Sequence, residues 1–257
     1  MRSVLPRLQL VELMDLPWFP GWLRRYQTDL LVFAWRGLAP RGAIAGQLTE
    51  LLASSESSTL VDLCSGSGGP AISLVRALRK RSGQPLELVL TDLYPNPDLP
   101  LGEGASYWPE PVDARAIDPA LVGVRTLFGS FHHFAPEQAR EILADARRRG
   151  QPIAVYEVTS RTARCLFLII LHLFGPLVFT PFVRPFSWRR LLFTYAVPLV
   201  SLSLIVDGVV SVFRTYTPLE MLELARGDGD APYDWRSGTL GWSVLPIVYL
   251  NGQPRGE

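Results

Sequence analysis

The chain has 257 residues, 48% of them hydrophobic, with 25 Lys and Arg against 24 Asp and Glu. This length and apolar content suit a single α/β domain with an added element, and a net charge of +1 excludes the basic field that gathers nucleic acid. Cys64 and Cys165 share no metal-ligand spacing and no disulfide framework, and the first residues show no apolar run with a cleavage site. No metal site is therefore expected, and the expected compartment is the cytoplasm.

Residues 9–53 read as helices: Leu10, Leu13 and Leu16, then Leu23, Tyr26, Leu30 and Phe33, recur at helical spacing, broken by a turn from Pro17 to Gly21. Residues 1–53 are thus predicted to be an N-terminal helical cap, ahead of a domain spanning 54–257. Thr59 to Leu63 is predicted as a strand, Ala71 to Lys80 as a helix, Leu86 to Leu90 and Arg125 to Phe128 as strands. Pro136 to Arg149 is predicted as a helix and Pro152 to Val158 as a buried strand. Such alternation implies a mainly parallel sheet covered on both faces. Pro218 to Ala225 reads as a short helix with Thr217 as its N-cap, and Tyr233 to Trp242 with Val244 to Leu250 as an antiparallel terminal hairpin.

The run Val61-Asp62-Leu63-Cys64-Ser65-Gly66-Ser67-Gly68-Gly69-Pro70 places small residues where a strand must turn sharply into a helix while its backbone approaches a ligand. Asp92 follows Gly69 by 23 positions, close to the spacing expected of an acid that binds ribose hydroxyls. A nicotinamide-dependent oxidoreductase uses the same crevice, but Ala71 stands where its Gly-x-Gly-x-x-Gly pattern needs the third glycine.

The segment resembles motif I of class I S-adenosylmethionine (SAM)-dependent methyltransferases, an acid followed by Gly-x-Gly-x-Gly. Cys64 stands in place of the first glycine, and Gly66 and Gly68 occupy the other two places. The resemblance implies SAM as cofactor and a Rossmann-like, mainly parallel seven-stranded sheet. It places Asp62 near the methionine amino group, with Cys64, Ser65, Gly66, Gly68 and Pro70 lining the turn. Asp92 and Leu93 would then flank the ribose, Asp113 and Ala114 the adenine, and Ser130 and Phe131 the fourth-strand segment. It covers roughly residues 59–158 and 217–254.

Methyl transfer needs an acceptor held in line with the sulfonium and often a base. His132 and His133 follow a strand's C-terminal end, and Glu157 ends the next strand, so these three are the catalytic candidates, each also readable as a crevice-wall group held by hydrogen bonds or ion pairs. Cys64 is read as a small backbone-hugging residue, not a nucleophile. Trp18, Phe19, Tyr26 and Asp29 in the cap, and Arg214 and Tyr216 further on, are candidates to close over a substrate or to serve as packing.

Cys165 to Val183 contains no Asp, Glu, Lys or Arg, and Leu191 to Val206 is similarly apolar. The insertion at about 161–206 is readable as a membrane span, as a helical lid, or as an interfacial hairpin giving peripheral membrane contact through 165–206. Spanning is opposed by Arg184, Arg189 and Arg190 between the runs and by Pro176, Pro181 and Pro198 within or beside them. Lid and interfacial readings both imply an apolar small-molecule substrate. Two other functions stay open: a SAM-using enzyme that releases methylthioadenosine, and a non-catalytic membrane-associated binding protein. Oligomeric state is not legible.

Overall fold

The computed structural model describes residues 5–38, 40–96, 99, 101–171, 174–226, 232–241 and 246–255. In chain order the elements are α1 (Gly21–Leu38), α2 (Arg41–Ser54), β1 (Thr59–Asp62), α3 (Gly69–Ser82), β2 (Glu87–Leu90), β3 (Ala105–Tyr107), β4 (Val124–Phe128), α4 (Pro136–Arg148) and β5 (Ile153–Glu157). They continue with α5 (Ala163–Leu171), α6 (Phe174–Phe179), α7 (Trp188–Tyr195), α8 (Leu199–Arg214), α9 (Pro218–Ala225), β6 (Tyr233–Leu240) and β7 (Ile247–Pro254). Two compact units emerge: a sheet unit of residues 40–158 and 216–257, and a helical unit of residues 1–39 and 159–215. Ile44, Ala45, Leu48 and Leu51 on α2 are buried, and α2 groups with the sheet unit. Residues 159–215 share their unit with α1.

The sheet unit holds seven strands in the order β3-β2-β1-β4-β5-β7-β6. The first five are parallel and β7 runs antiparallel between β5 and β6. β5 is buried at all five positions, as a strand covered on both faces should be. β4 carries Arg125 with no exposed surface, and Asp145 of α4 pairs with it at 2.8 Å. Burial holds the Arg125 guanidinium below its usual range, against the pull of Asp145. One core cluster joins Val61, Leu127, Phe131, Val155, Ile142, Met221 and Leu250 from strands and helices alike.

The capping box at Thr217 is formed: its hydroxyl accepts from Glu220 N–H at 3.3 Å, and its own N–H donates to the Glu220 carboxylate at 2.8 Å. β3 was not located by pattern, since three residues carry too little alternation to register. In the terminal pair, Gly252 lies opposite Trp235, where a Cβ would come within 2.3 Å of the indole ring. Trp242, Val244 and Leu245 of the expected hairpin lie outside the described residues.

In the helical unit a short 3-10 turn at Leu13–Asp15 precedes α1, and α5, α6 and α7 each pack against α8. Phe19, Leu23, Leu30, Val183 and Val200 form its buried apolar cluster. Among the described residues no single helix is long and apolar enough to cross a membrane, and α7 and α8 meet at a bend of 71°.

Candidate active site

Parallel pairing aligns the carboxyl ends of β2, β1, β4 and β5, with Asp62 opposite both Leu90 and Thr126, and Phe128 opposite Tyr156. The loop after β1, Asp92 after β2, residues 129–133 after β4 and Glu157 closing β5 therefore share one sheet edge. Open α/β sheets bind ligands at that edge, where the strand order reverses, here between β1 and β4.

The loop turns through left-handed backbone at Cys64 (φ 56°), Gly66 (51°), Gly68 (76°) and Gly69 (27°). Cys64 carries a Cβ through a conformation that costs a non-glycine residue about 1 kcal/mol, and its side chain packs against the core cluster. Burial, with Asp92, Asp62 and Asp113 nearby, pushes the thiol well above its usual range, so it stays protonated. The glycines divide their work. A Cβ at Gly68 would strike Ile72 Cδ1 at 2.4 Å, so that glycine serves helix–strand packing, whereas at Gly66 or Gly69 a Cβ would meet nothing within 4 Å. The backbone there faces open space. Pro70 follows in the first turn of α3, where its missing N–H costs nothing.

Asp92 fastens this loop to the turn after β2: Gly66 N–H donates to its Oδ2 and Tyr94 N–H to its Oδ1, both at 2.9 Å. Each oxygen keeps accepting capacity for a ligand hydroxyl. Leu93 beside it is exposed. Asp62 is buried; Thr126 Oγ1 donates to its Oδ1 at 2.7 Å, and Thr91 N–H and Ser65 Oγ donate to its backbone carbonyl at 2.8 and 2.7 Å. Burial pushes its carboxyl up to about 7, outweighing the Thr126 bond. Tyr107, at the end of β3, donates its hydroxyl to Gly66 O at 3.2 Å.

Asp113 is clasped by Arg115, with Nε donating to Oδ1 at 3.0 Å and Nη2 to Oδ2 at 2.6 Å, which holds the carboxyl below its usual range. Ala114 is buried in the core cluster. His132 and Glu157 form a buried dyad: the His132 backbone N–H donates to Oε1 at 3.1 Å, and its Nδ1 lies 2.7 Å from Oε2. With Nδ1 donating, the neutral ring carries its basic lone pair on Nε2. The His133 ring lies 4.3 Å from that of His132, less buried. Ser130 is buried, and Phe131 is wholly buried in the core, tilted on Tyr216, whose hydroxyl donates to Phe134 O at 2.8 Å. Phe131 and Tyr216 thus pack their side chains in the core.

The remaining cap residues belong to the helical unit. Phe19 is in its cluster, Tyr26 has Arg190 over its ring at 5.8 Å, and Asp29 binds Arg190 at 2.7 Å. Arg214 pairs with Asp15 at 2.8 Å, and Trp18 is 70% exposed. Sequence reasoning missed Thr126, Tyr107 and Arg115. A threonine at the register position of the motif acid was a readable signal, whereas the other two required the unlocated β3 and the turn after it.

No protein-family model matches this chain, and no curated protein does. Among solved structures, an O-methyltransferase family 2 protein from Planctomyces limnophilus, in complex with apigenin, superposes with a TM-score of 0.52 at 15% identity, covering 90% of this chain and 61% of that one. LepI in complex with SAM gives 0.46 at 18% identity over 81% of this chain, and PigF with SAH gives 0.42 at 19% over 94%. The present chain spans 46% of the LepI chain and 72% of the PigF chain. The strand order, the reversed terminal strand and the first of these superpositions agree: the chain has the class I SAM-dependent methyltransferase fold.

Proposed function

We propose that the protein is a SAM-dependent methyltransferase that methylates a hydroxyl on an apolar small molecule. One observation carries this reading: the Asp92 carboxylate is fastened to the backbone of a left-handed glycine turn whose outer side is open. That arrangement suits a nucleoside whose ribose hydroxyls meet Asp92 while the rest lies along Gly66 and Gly69. Asp62, in its ionised form, supplies an anion beside the turn for a ligand ammonium. When bound, SAM supplies an electrophilic methyl group on a sulfonium.

The His132–Glu157 dyad supports the choice of acceptor. His132 Nε2 would accept the proton of an acceptor hydroxyl held in line with the methyl group that bound SAM would supply. Glu157, 2.7 Å from Nδ1, stabilises the imidazolium so formed and fixes the ring. Cys64 stays a thiol and takes no part. The O-methyltransferase from Planctomyces limnophilus, crystallised with the polyphenol apigenin, makes hydroxyl-bearing aromatics the first acceptors to try.

The test is turnover of SAM with a panel of such phenols, followed by product analysis. The account expects S-adenosylhomocysteine and a methyl ether; methylthioadenosine with unmodified acceptor would sink methylation.

A further inference from the structure

The helices of the insertion bury polar groups beside apolar ones and leave stripes of apolar side chains outside. On α7 the buried residues are Arg190 and Thr194, while Trp188, Leu192 and Tyr195, spaced four and three apart on one helical face, are exposed. On α8 the buried set joins Val200, Val210 and Val212 with Ser201, Ser203, Asp207 and Arg214, while Leu199, Leu202 and Val206 face outward, again on one stripe. α5 exposes Phe167, Ile170 and Leu171, and the chain leading into α7 exposes Phe182 and Phe186. A helix on the surface of a water-soluble domain turns its apolar stripe inward and a polar face outward. Apolar outer stripes on neighbouring helices exceed the scattered exposure normal for a monomer.

Charge identifies what such a face meets. From Val158 to Val206 there is no Asp or Glu, and Arg164, Arg184 and Arg189 are exposed beside the aromatic residues. Arg190 is spent internally, on Asp29 and on the carbonyls of Val183 and Pro185. In a two-fold dimer built on this face the patch would meet itself, setting arginines against arginines with no acid to receive them. A leaflet containing anionic lipid offers phosphates at the depth of the arginines and hydrocarbon just below, where Trp and Phe settle.

We propose that the outer face of α5–α8 docks on a bilayer surface carrying anionic lipid, with Phe167, Phe182, Phe186, Trp188, Leu192 and Leu202 entering the headgroup–acyl boundary and the exposed arginines meeting lipid phosphates. The helices lie on the membrane and do not cross it. The inference is independent of the catalytic reading and would stand if that reading failed.

The test is co-sedimentation of the full chain with vesicles of mixed phosphatidylcholine and phosphatidylglycerol, compared with phosphatidylcholine alone, with circular dichroism as the fold control. The protein is expected to sediment with the anionic vesicles and to be released partly as salt rises. In W188E/L192E the partition falls about tenfold or more, since each buried side chain of this size contributes that much. Leu202→Glu, on a separate helix, weakens it independently, and R184Q/R189Q removes most of the preference for anionic vesicles. No sedimentation with either vesicle, or equal sedimentation of W188E/L192E, would overturn the proposal. So would a dimer that these same substitutions dissolve while vesicles are ignored, which would show that a second copy covers the face.

Discussion

The sheet unit and the helical unit differ in what they leave outside and in how many polar groups they bury among apolar ones. In the first, β5 buries the apolar run from Ile153 to Tyr156, and buried polar groups concentrate at the carboxyl edge in Asp62, Thr126, His132 and Glu157, with Arg125–Asp145 the exception. In the second, Arg190, Thr194, Ser201, Ser203 and Asp207 lie inside beside the Phe19, Leu23 and Leu30 cluster, while Phe167, Phe182, Trp188 and Leu202 face out. A polar group buried in a domain whose other buried groups are apolar has to be explained by a partner or a ligand. A mixed interior under an apolar surface shifts the question to what receives the exposed apolar side chains.

The contrast can be broken most forcibly at the edge. His132→Ala is expected to lower kcat about 10²- to 10⁴-fold while leaving affinity for the cofactor product nearly unchanged, as steady-state kinetics and calorimetry would show. A variant that loses binding and folding together would make the dyad structural instead. Next comes the exception: Asp145→Ala leaves the Arg125 guanidinium buried without its carboxylate and should cost about 3–5 kcal/mol in denaturant unfolding. The counterpart in the helical unit, Asp29→Ala, should cost less, about 2 kcal/mol, because Arg190 keeps the carbonyls of Val183 and Pro185. Equal losses in the two would deny that the helical interior is built to share its charge.

The smallest effect is a pH dependence. Asp62 is raised from 3.8 to about 7 by burial, so the folded state holds its proton more tightly than the unfolded chain does. Stability is then lost as pH rises from about 4 through 7, and the loss is complete above that range. In the ligand-free protein, Asp62→Asn should raise Tm more at pH 8 than at pH 5, and an equal gain at both would place the carboxyl in water. By the same sign, a cationic ligand that needs ionised Asp62 should bind more weakly below pH 7.

The parallel strands were legible because their apolar runs are bounded by turn residues, and α9 because Thr217 and Glu220 announce its capping box. The motif acid, the turn and Asp92 were legible through spacing. β3 was not, since three residues support no periodicity, and Tyr107 was hidden with it. Nor could sequence tell His132 from His133: only the distance to Glu157 separates them. The outward apolar stripes of α7 and α8 were invisible in composition alone, because apolar runs read the same whichever face they turn inward. The grouping of residues 159–215 with α1 depends on contacts between residues far apart in the chain, which no local pattern encodes.

Calorimetric titration with SAM and S-adenosylhomocysteine, on the wild type and on Asp92→Ala, tests the central claim most directly. The account predicts wild-type binding on the order of micromolar for both ligands, weakened about a hundredfold or more when the carboxylate is removed. Absence of binding by the wild type, or equal binding by Asp92→Ala, would contradict it.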